Sequence, residues 1–150
     1  MTGKRVLIVG WPGAGKTYMA RELAQELGVP HLCTDPQNQC PPGVFGIPND
    51  LEWSESSQFV ANHLLGVDGV IEGVAVPRAL RKWHESNPGM RPPADRIIWL
   101  EPRYQGLTSG QIAMGKGLDT IMGELEDWLG KLIERKRDPA SQRARRVVET

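Results

Sequence analysis

The sequence predicts an α/β fold in which a mostly parallel sheet of about four to five strands lies between helices, in three layers. Two observations support this prediction. Short apolar runs alternate along the chain with longer segments that carry apolar residues at helical spacing. Clusters of Gly and Pro separate these segments. The length of 150 residues is typical of one domain, so residues 1–150 are expected to fold as a single unit.

The first strand and the first helix enclose the most specific motif in the chain. The apolar run Val6–Val9 predicts a buried strand, and apolar residues follow at helical spacing up to Gly28. Between them, residues 10–17 read GWPGAGKT and fit the phosphate-binding pattern G-x-x-x-x-G-K-[ST] at every fixed position. A strand before the motif and a helix after it are the context that it requires. This context favours a phosphate site over an ordinary glycine-rich turn.

The residue types of this motif suit a nucleoside triphosphate. Its glycines allow the backbone N–H groups to point into one hollow of the size of an anion, at the start of the helix. The Lys16 ammonium would reach the β- and γ-phosphates, and the Thr17 hydroxyl would bind Mg²⁺. We therefore predict that ATP and Mg²⁺ are held here by Gly10, Pro12, Gly13, Ala14, Gly15, Lys16 and Thr17.

The elements that follow continue the alternation. The stretch VPHLCT predicts a second strand that ends at Asp35, and residues 36–50 are too rich in Pro, Gly and Asn for a strand or a helix. A helix is expected to begin at Trp53 and to end near Gly66. The stretch VDGVIEG then predicts a third strand with Glu72 at its end.

The second half of the chain repeats this pattern. Pro77 suits the first turn of a helix, RIIWLEP predicts the fourth strand, and residues 118–137 predict one long amphipathic helix. The buried stripe of that helix is expected to contain Ile121, Leu125, Trp128, Leu129 and Leu132. Only RRVVET near the end of the chain could then supply a fifth strand.

Two acidic residues follow predicted strands. Ligands of parallel sheets bind at the carboxyl ends of the strands, so Thr17, Asp35 and Glu72 are expected to converge. A charge at the end of a buried strand needs a partner. Glu72 is therefore interpreted as a Mg²⁺ ligand through water or as a base, with an ion pair to Arg78 or Arg81 as the alternative. Asp35 could instead form an Asx turn with the proline that follows it.

A segment with glycines and basic residues precedes the last helix. Residues 103–117 contain Arg103, Lys116 and glycines at four positions, a composition that predicts a lid which closes over phosphates and excludes water. We expect Lys116 to contact the γ-phosphate and Arg103 to contact the adenine. Either side chain could instead be an ordinary surface charge.

The order of phosphate loop, two acidic strand ends and basic lid resembles the small P-loop kinases. This group includes shikimate, gluconate, nucleotide and polynucleotide 5′-hydroxyl kinases, and the resemblance covers most of residues 4–137. It implies a P-loop NTPase fold and ATP-dependent transfer of the γ-phosphoryl group to a hydroxyl acceptor. It further implies that Asp35 is the base that orients this hydroxyl. Lys16, Glu72 and Lys116 are the other catalytic candidates.

Several stretches look like the short P-loop kinase-like proteins of tailed bacteriophages: EWSESSQFVANHLL, VIEGVAVPRALRKW, PADRIIWLE and LTSGQIAMGKG. Some of those proteins are similar to kinases of 5-hydroxymethyluracil in phage DNA, so this resemblance implies a hydroxymethylated base in DNA as the acceptor. Trp11 and Trp53 would be exposed aromatic residues near the site that can stack on a base, and Trp53 would help to bind the acceptor. Arg78 and Arg81 would bind phosphates, unless they lie on a solvated helix face. The alternatives are a small-molecule nucleoside or nucleotide kinase and an ATP-binding regulatory module.

Composition restricts the remaining possibilities. The formal net charge is zero, so there is no global attraction to nucleic acid, although basic residues crowd the interval 131–146. Residues 138–150 are expected to form a basic tail that is either solvated or bound to a polyanion. Two cysteines are too few for a disulfide scaffold, the histidines lack metal-ligand neighbours, and no apolar run approaches the roughly 20 residues of a membrane span. A cytoplasmic protein is expected, in the host cytoplasm if a phage encodes it.

Overall fold

The structure, a computed structural model, describes residues 3–103 and 105–137 and has the predicted α/β class. Its strands are β1 Arg5–Val9, β2 His31–Pro36, β3 Phe45–Ile47, β4 Gly69–Glu72, β5 Arg96–Leu100 and β6 Ile133–Lys136. Its α-helices are α1 Lys16–Leu27, α2 Trp53–Phe59, α3 Val76–Ser86 and α4 Ser109–Leu129. The basic tail predicted for residues 138–150, and RRVVET within it, lie outside the described residues.

All six described strands pair in parallel, in the spatial order β3-β2-β4-β1-β5-β6. β1 lies between β4 and β5, with Leu7 opposite Ile71 on one side and Ile97 on the other. The loop after β1 therefore leaves the sheet near its centre. The prediction of about four to five strands was too low.

The two additional strands occupy segments that were predicted as other structures. α4 ends at Leu129, Gly130 adopts a φ of +52°, and the chain then forms β6 against β5 within the predicted helix 118–137. β3 lies within residues 36–50, which were predicted as loop, and its backbone is fixed by a hydrogen bond of 2.7 Å from Gly46 N to Gln37 Oε1. Both strands depend on contacts with distant residues that a local pattern does not contain.

α4 begins earlier than predicted and takes up most of the expected lid. Thr108 and Gln111 form a capping box, in which each side chain bonds the backbone N–H of the other residue. The helix then runs without interruption from Ser109. Residues 109–117 are therefore the first turns of α4 and not a separate glycine-rich segment.

The sheet separates two apolar clusters. On one face, α1 packs through Ala20 and Ala24 against alternate residues of the central strands, such as Ile8 and Val70. On the other face, α3 and α4 and the turns after α2 cover the larger cluster, in which each fully buried aliphatic side chain stabilises the fold by about 1.5–3 kcal/mol. Because strand residues alternate between the faces, Glu72, two positions after Val70, lies on the α1 side. No helix within the described ranges is both long and apolar enough to cross a membrane.

Candidate functional site

The loop between β1 and α1 forms an open backbone cradle. Gly13 and Gly15 adopt φ values of 78° and 88°, which a side chain would disfavour. Gly15 is the N-cap of α1 and has no side-chain cap, so the N–H groups of the first helical turn stay available to an anion. A Cβ atom at Gly10 would lie 3.3 Å from the Cβ atoms of both Ala14 and Leu100. The base of the cradle is thus closely packed.

Lys16 is buried and is held by the loop itself. Its Nζ donates hydrogen bonds to the carbonyl oxygens of Gly10 at 2.9 Å and Trp11 at 2.8 Å. Burial lowers the pKa of Lys16, while the carboxylates of Glu72 and Asp35 act in the opposite direction. An ammonium has three N–H donors. Among the described residues two of them are used, and the third is left for a phosphate oxygen.

Residues from two strands, two helices and the loops after β1 and β4 converge on one cavity of about 340 Å³ at the carboxyl end of the sheet. Thr17, Asp35 and Glu72 all face it, as the parallel topology requires. Among the described residues, the lining consists of Pro12, Gly13, Lys16, Thr17, Asp35, Glu72, Gly73, Val74, Gln111 and Met114. Of these, Gly73, Val74, Gln111 and Met114 were not identified from the sequence.

Glu72 is 2% exposed and each of its oxygens has its own partner. Cys33 Sγ donates to Oε1 at 3.3 Å, and His31 Nε2 lies 3.4 Å from Oε2. Burial raises the pKa of Glu72, but hydrogen bonds from His31, Thr17 and Cys33 together outweigh burial and place the pKa below its ordinary value. Glu72 is therefore a carboxylate at neutral pH.

The partners of Glu72 differ from those considered in the sequence. An ion pair with Arg78 or Arg81 was the alternative, and the structure instead places it against His31 and Cys33 on the neighbouring strand and Thr17 on α1. Burial raises the pKa of the Cys33 thiol far above its ordinary range, and the charge of Glu72 raises it further. The thiol therefore keeps its proton and acts as a hydrogen-bond donor.

Asp35 differs from Glu72 in that its side chain is exposed. Its backbone N–H contacts Cys33 Sγ at 3.4 Å, but within the described ranges its carboxylate takes part in no hydrogen bond. The Asx turn considered as the alternative is thus not formed. The Asp35 carboxylate is free to accept a hydrogen bond from a molecule in the cavity.

Thr17 and Glu72 fit a site for Mg²⁺. Both offer oxygen atoms, which Mg²⁺ prefers, and Mg²⁺ usually keeps several waters and binds one or two protein groups together with substrate phosphates. Within the described residues no group of three or more His, Cys, Asp and Glu side chains could hold a metal ion.

Trp11 was expected to be exposed and to stack on a base, and this prediction was wrong. It is 4% exposed, and its Nε1 donates a hydrogen bond of 2.9 Å to Asp119 on α4. Its ring fills the space beside Gly115, where any side chain would overlap it. Trp11 thus packs the phosphate loop against α4.

The same helix places Gln111 and Met114 in the cavity, whereas Lys116 is exposed and does not line it. Arg103 is also exposed and outside the lining. The capping signature T-x-x-Q at residues 108–111 was the sequence signal that could have located this helix start. The roles given to Lys116 and Arg103 would require movement of this region and stay predictions.

The acceptor residues predicted on α2 and α3 lie outside the cavity lining. Arg78 stacks over the ring of Trp53 at 5.3 Å, and Trp53 remains 44% exposed. Arg81 forms an ion pair of 3.6 Å with Glu124 on α4. In the structure these arginines contact neighbouring helices.

Comparisons with known proteins give limited but consistent results. The model of the family "ATPase family associated with various cellular activities (AAA)" matches residues 6–41, which span β1, the phosphate loop, α1 and β2. The search of curated proteins gives no match.

Two solved structures are similar at low identity. Shikimate kinase from Acinetobacter baumannii, in complex with shikimate, is 16% identical with a TM-score of 0.48, covering 96% of this chain and 90% of that one. Shikimate kinase from Bacteroides thetaiotaomicron is 13% identical with a TM-score of 0.44, covering 97% of this chain and 98% of that one.

Proposed function

We propose that the protein is an ATP-dependent phosphotransferase that transfers the γ-phosphoryl group to a hydroxyl acceptor. The observation that carries this proposal is the pairing of two unlike carboxylates in one cavity with Lys16. Glu72 is buried and held by three donors, whereas the Asp35 carboxylate is exposed and has no hydrogen bond within the described residues. Two environments for two carboxylates support two roles.

The roles follow from what phosphoryl transfer needs, which is positioning and charge neutralisation. Lys16 neutralises charge on the β- and γ-phosphates through its third N–H, since the other two donate to the loop carbonyls. Thr17 and Glu72 would hold Mg²⁺, which would neutralise the developing phosphate charge. Asp35 accepts a hydrogen bond from the acceptor hydroxyl and takes its proton as the oxygen attacks the γ-phosphorus, while the bond to the β–γ bridging oxygen breaks and ADP leaves with the electron pair.

A regulatory module that only hydrolyses ATP is the competing function. Such a module needs Lys16, Thr17 and Glu72 but has no use for a second carboxylate without partners at the cavity. The free Asp35 carboxylate therefore favours an acceptor-specific enzyme over a hydrolytic switch.

We further propose a small hydroxyl compound as the acceptor. The cavity of about 340 Å³ is near the lower end of ligand pockets, which measure about 300–1,000 Å³. A hydroxymethylated base in DNA, the acceptor implied by the phage resemblance, would need Arg78 and Arg81 for its phosphates. Both already contact Trp53 and Glu124. Modified DNA is thus the alternative acceptor, and the labelling experiment tests it directly.

The test uses γ-labelled ATP with separate pools of nucleosides, nucleotides, other small alcohols, 5′-hydroxyl DNA and 5-hydroxymethyluracil DNA. We expect transfer to a small acceptor, its loss in Asp35→Asn, and unchanged ATP affinity in that variant. Asp50→Asn is the matched control, because Asp50 is an exposed carboxylate in the loop after β3 and does not line the cavity.

Other results would contradict parts of the proposal. Hydrolysis that is equal in wild type and Asp35→Asn, with no transfer to any pool, would favour the regulatory module. Transfer to modified duplex alone would favour the DNA acceptor. In that case binding would weaken with salt by about 0.9 in log–log slope for each phosphate contacted, and Arg78→Ala with Arg81→Ala would flatten the slope.

A further inference from the structure

We infer that His31 is a positioning residue that fixes the Glu72 carboxylate toward the metal ion of the nucleotide. The inference rests on the proposed function, since it assigns Glu72 to the metal ion that accompanies ATP. Its evidence is separate, because it concerns a residue on β2 that does not line the nucleotide cavity.

The position of His31 follows from strand register. β2 and β4 are parallel neighbours in which His31 lies opposite Val70 and Cys33 lies opposite Glu72. Residues two apart on a strand share a face, so His31, Cys33 and Glu72 all point to the α1 side. His31 therefore approaches Glu72 from the side nearer the amino ends of the strands, and Thr17 approaches it from the first turn of α1.

The contacts divide the two carboxylate oxygens between two neighbours. His31 Nε2 lies 3.4 Å from Oε2, and Cys33 Sγ lies 3.3 Å from Oε1. A carboxylate held at both oxygens cannot rotate about its terminal bond without losing a contact. When the Thr17 hydroxyl turns to a metal ion, His31 and Cys33 still fix the plane of the carboxylate.

The other ring nitrogen of His31 identifies the function of the side chain. Nδ1 is buried and has no hydrogen-bond partner among the described residues. Leaving a buried polar atom unpaired costs about 1–3 kcal/mol, so Nδ1 adds nothing to the stability of this position. Among the described residues, the side chain of His31 makes one hydrogen-bond contact, from Nε2 to Glu72. The geometry thus assigns the residue to positioning and not to stability.

Three substitutions separate the two ring nitrogens. In His31→Gln the side-chain amide nitrogen can occupy the place of Nε2, in His31→Asn it reaches only the place of Nδ1, and His31→Leu has no donor. The measurement is calorimetric affinity for ATP with Mg²⁺ and, separately, for ATP in EDTA. A Mn²⁺ titration of the protein–ATP complex, followed by electron paramagnetic resonance, gives the metal affinity directly.

We expect His31→Asn and His31→Leu to weaken metal affinity by about 10–100-fold, the usual effect of removing a residue that orients a metal ligand. His31→Gln should stay within a few-fold of wild type, and ATP affinity in EDTA should be unchanged in all three. His63→Leu is the control, since His63 is exposed and outside the cavity lining. Melting temperatures of His31→Gln and His31→Asn keep the comparison valid if His31→Leu does not fold.

Equal metal affinity in wild type and His31→Asn, or equal losses in His31→Asn and His31→Gln, would overturn the inference. Absence of Mg²⁺-dependent ATP binding in wild type would overturn it together with the proposed function. If wild type binds ATP with Mg²⁺ but transfers to no acceptor, the proposed function fails. The His31 inference is then tested separately, by the difference in metal affinity between His31→Gln and His31→Asn.

Discussion

The two ends of the sheet hold their charges in different ways. At the carboxyl end, Lys16 and Glu72 are buried. Lys16 donates hydrogen bonds to two loop carbonyls, and Glu72 is held by a hydroxyl, a thiol and an imidazole. At the amino end, Arg5 and Asp95 are partly exposed and pair directly at 3.1 Å.

The difference separates charges that serve a ligand from charges that serve the fold. The opposite charges of a guanidinium and a carboxylate in contact largely cancel, so the pair attracts a third charged group only weakly. A buried charge held by hydrogen bonds with carbonyl, hydroxyl and thiol groups keeps its charge, at a cost in desolvation that the fold must offset. By this criterion the carboxyl end is built to meet an external ion, and the amino end joins β1 to the start of β5.

The most severe test of this comparison is Lys16→Ala. We expect phosphoryl transfer to fall by a factor on the order of 10³–10⁵, the scale of a cation placed on the transferring group. Thermal stability should not fall, because the substitution removes a desolvated charge whose pKa burial lowers. Transfer of labelled phosphate and thermal unfolding measure the two effects.

Lys131→Ala supplies the control for this experiment, since Lys131 is exposed near the amino end of the sheet. It should leave both quantities near wild type. Near-normal transfer by Lys16→Ala would contradict the assignment of the phosphate site to the carboxyl end of the sheet. It would also contradict the comparison of the two ends that rests on this assignment.

A smaller effect is expected from the packing of the phosphate loop on α4. In Gly115→Ala the new methyl group would overlap the Trp11 ring, and overpacking of this kind typically costs about 1–3 kcal/mol. Gly117→Ala is a matched control in the same helix, because among the described residues no atom outside the adjacent residues and the surrounding helix backbone lies within 4 Å of its Cβ position. It should stabilise the protein by roughly 0.5–1 kcal/mol, as expected when Ala replaces Gly in a helix.

Denaturant unfolding and ATP affinity should both distinguish these variants. Gly115→Ala displaces a residue of the phosphate loop and should weaken ATP binding, whereas Gly117→Ala should not. Equal stability of the two variants would mean that Trp11 can move aside at little cost, and that α4 does not fix the loop.

The sequence was sufficient for the parts of the site that depend on neighbouring residues. The phosphate loop is set by glycines and a lysine within residues 10–17, and the convergence of Asp35 with Glu72 follows from parallel strands alone. Trp11 was misjudged because its burial depends on Gly115 and Asp119, more than one hundred residues away in the chain. The pairing of His31 with Glu72 likewise depends on the register of β2 against β4.

Two errors could have been avoided with local signals. The capping box at Thr108 marks the start of α4, and Gly130 interrupts the helical pattern before β6. Both were obscured because an apolar stripe at helical spacing extends past Gly130 to Leu132. Strand β6 itself was not predicted because it depends on a long-range contact, the pairing of Ile133 with Ile97 on β5.

The smallest expected effect tests the amino end of the sheet. The hydrogen bond from the Arg5 guanidinium holds the pKa of Asp95 below its usual value. A lowered pKa means that the pair stabilises the fold above the unfolded-state pKa of about 3.9, and that this contribution is lost as the pH falls through the folded-state pKa. Because Arg5 is 38% exposed, we expect Asp95→Asn to cost at most about 1 kcal/mol at pH 7.

The free energies of unfolding of wild type and Asp95→Asn should therefore converge between about pH 5 and pH 2, because protonation removes from wild type the charge that the substitution removes at every pH. ATP affinity at pH 7 should be the same in both proteins, since the pair lies at the opposite end of the sheet from the phosphate loop. Asp50→Asn, in an exposed loop, should show no convergence. A change in ATP affinity in Asp95→Asn would contradict the separation of the two ends, because an ion pair that serves only the fold should not affect the phosphate loop.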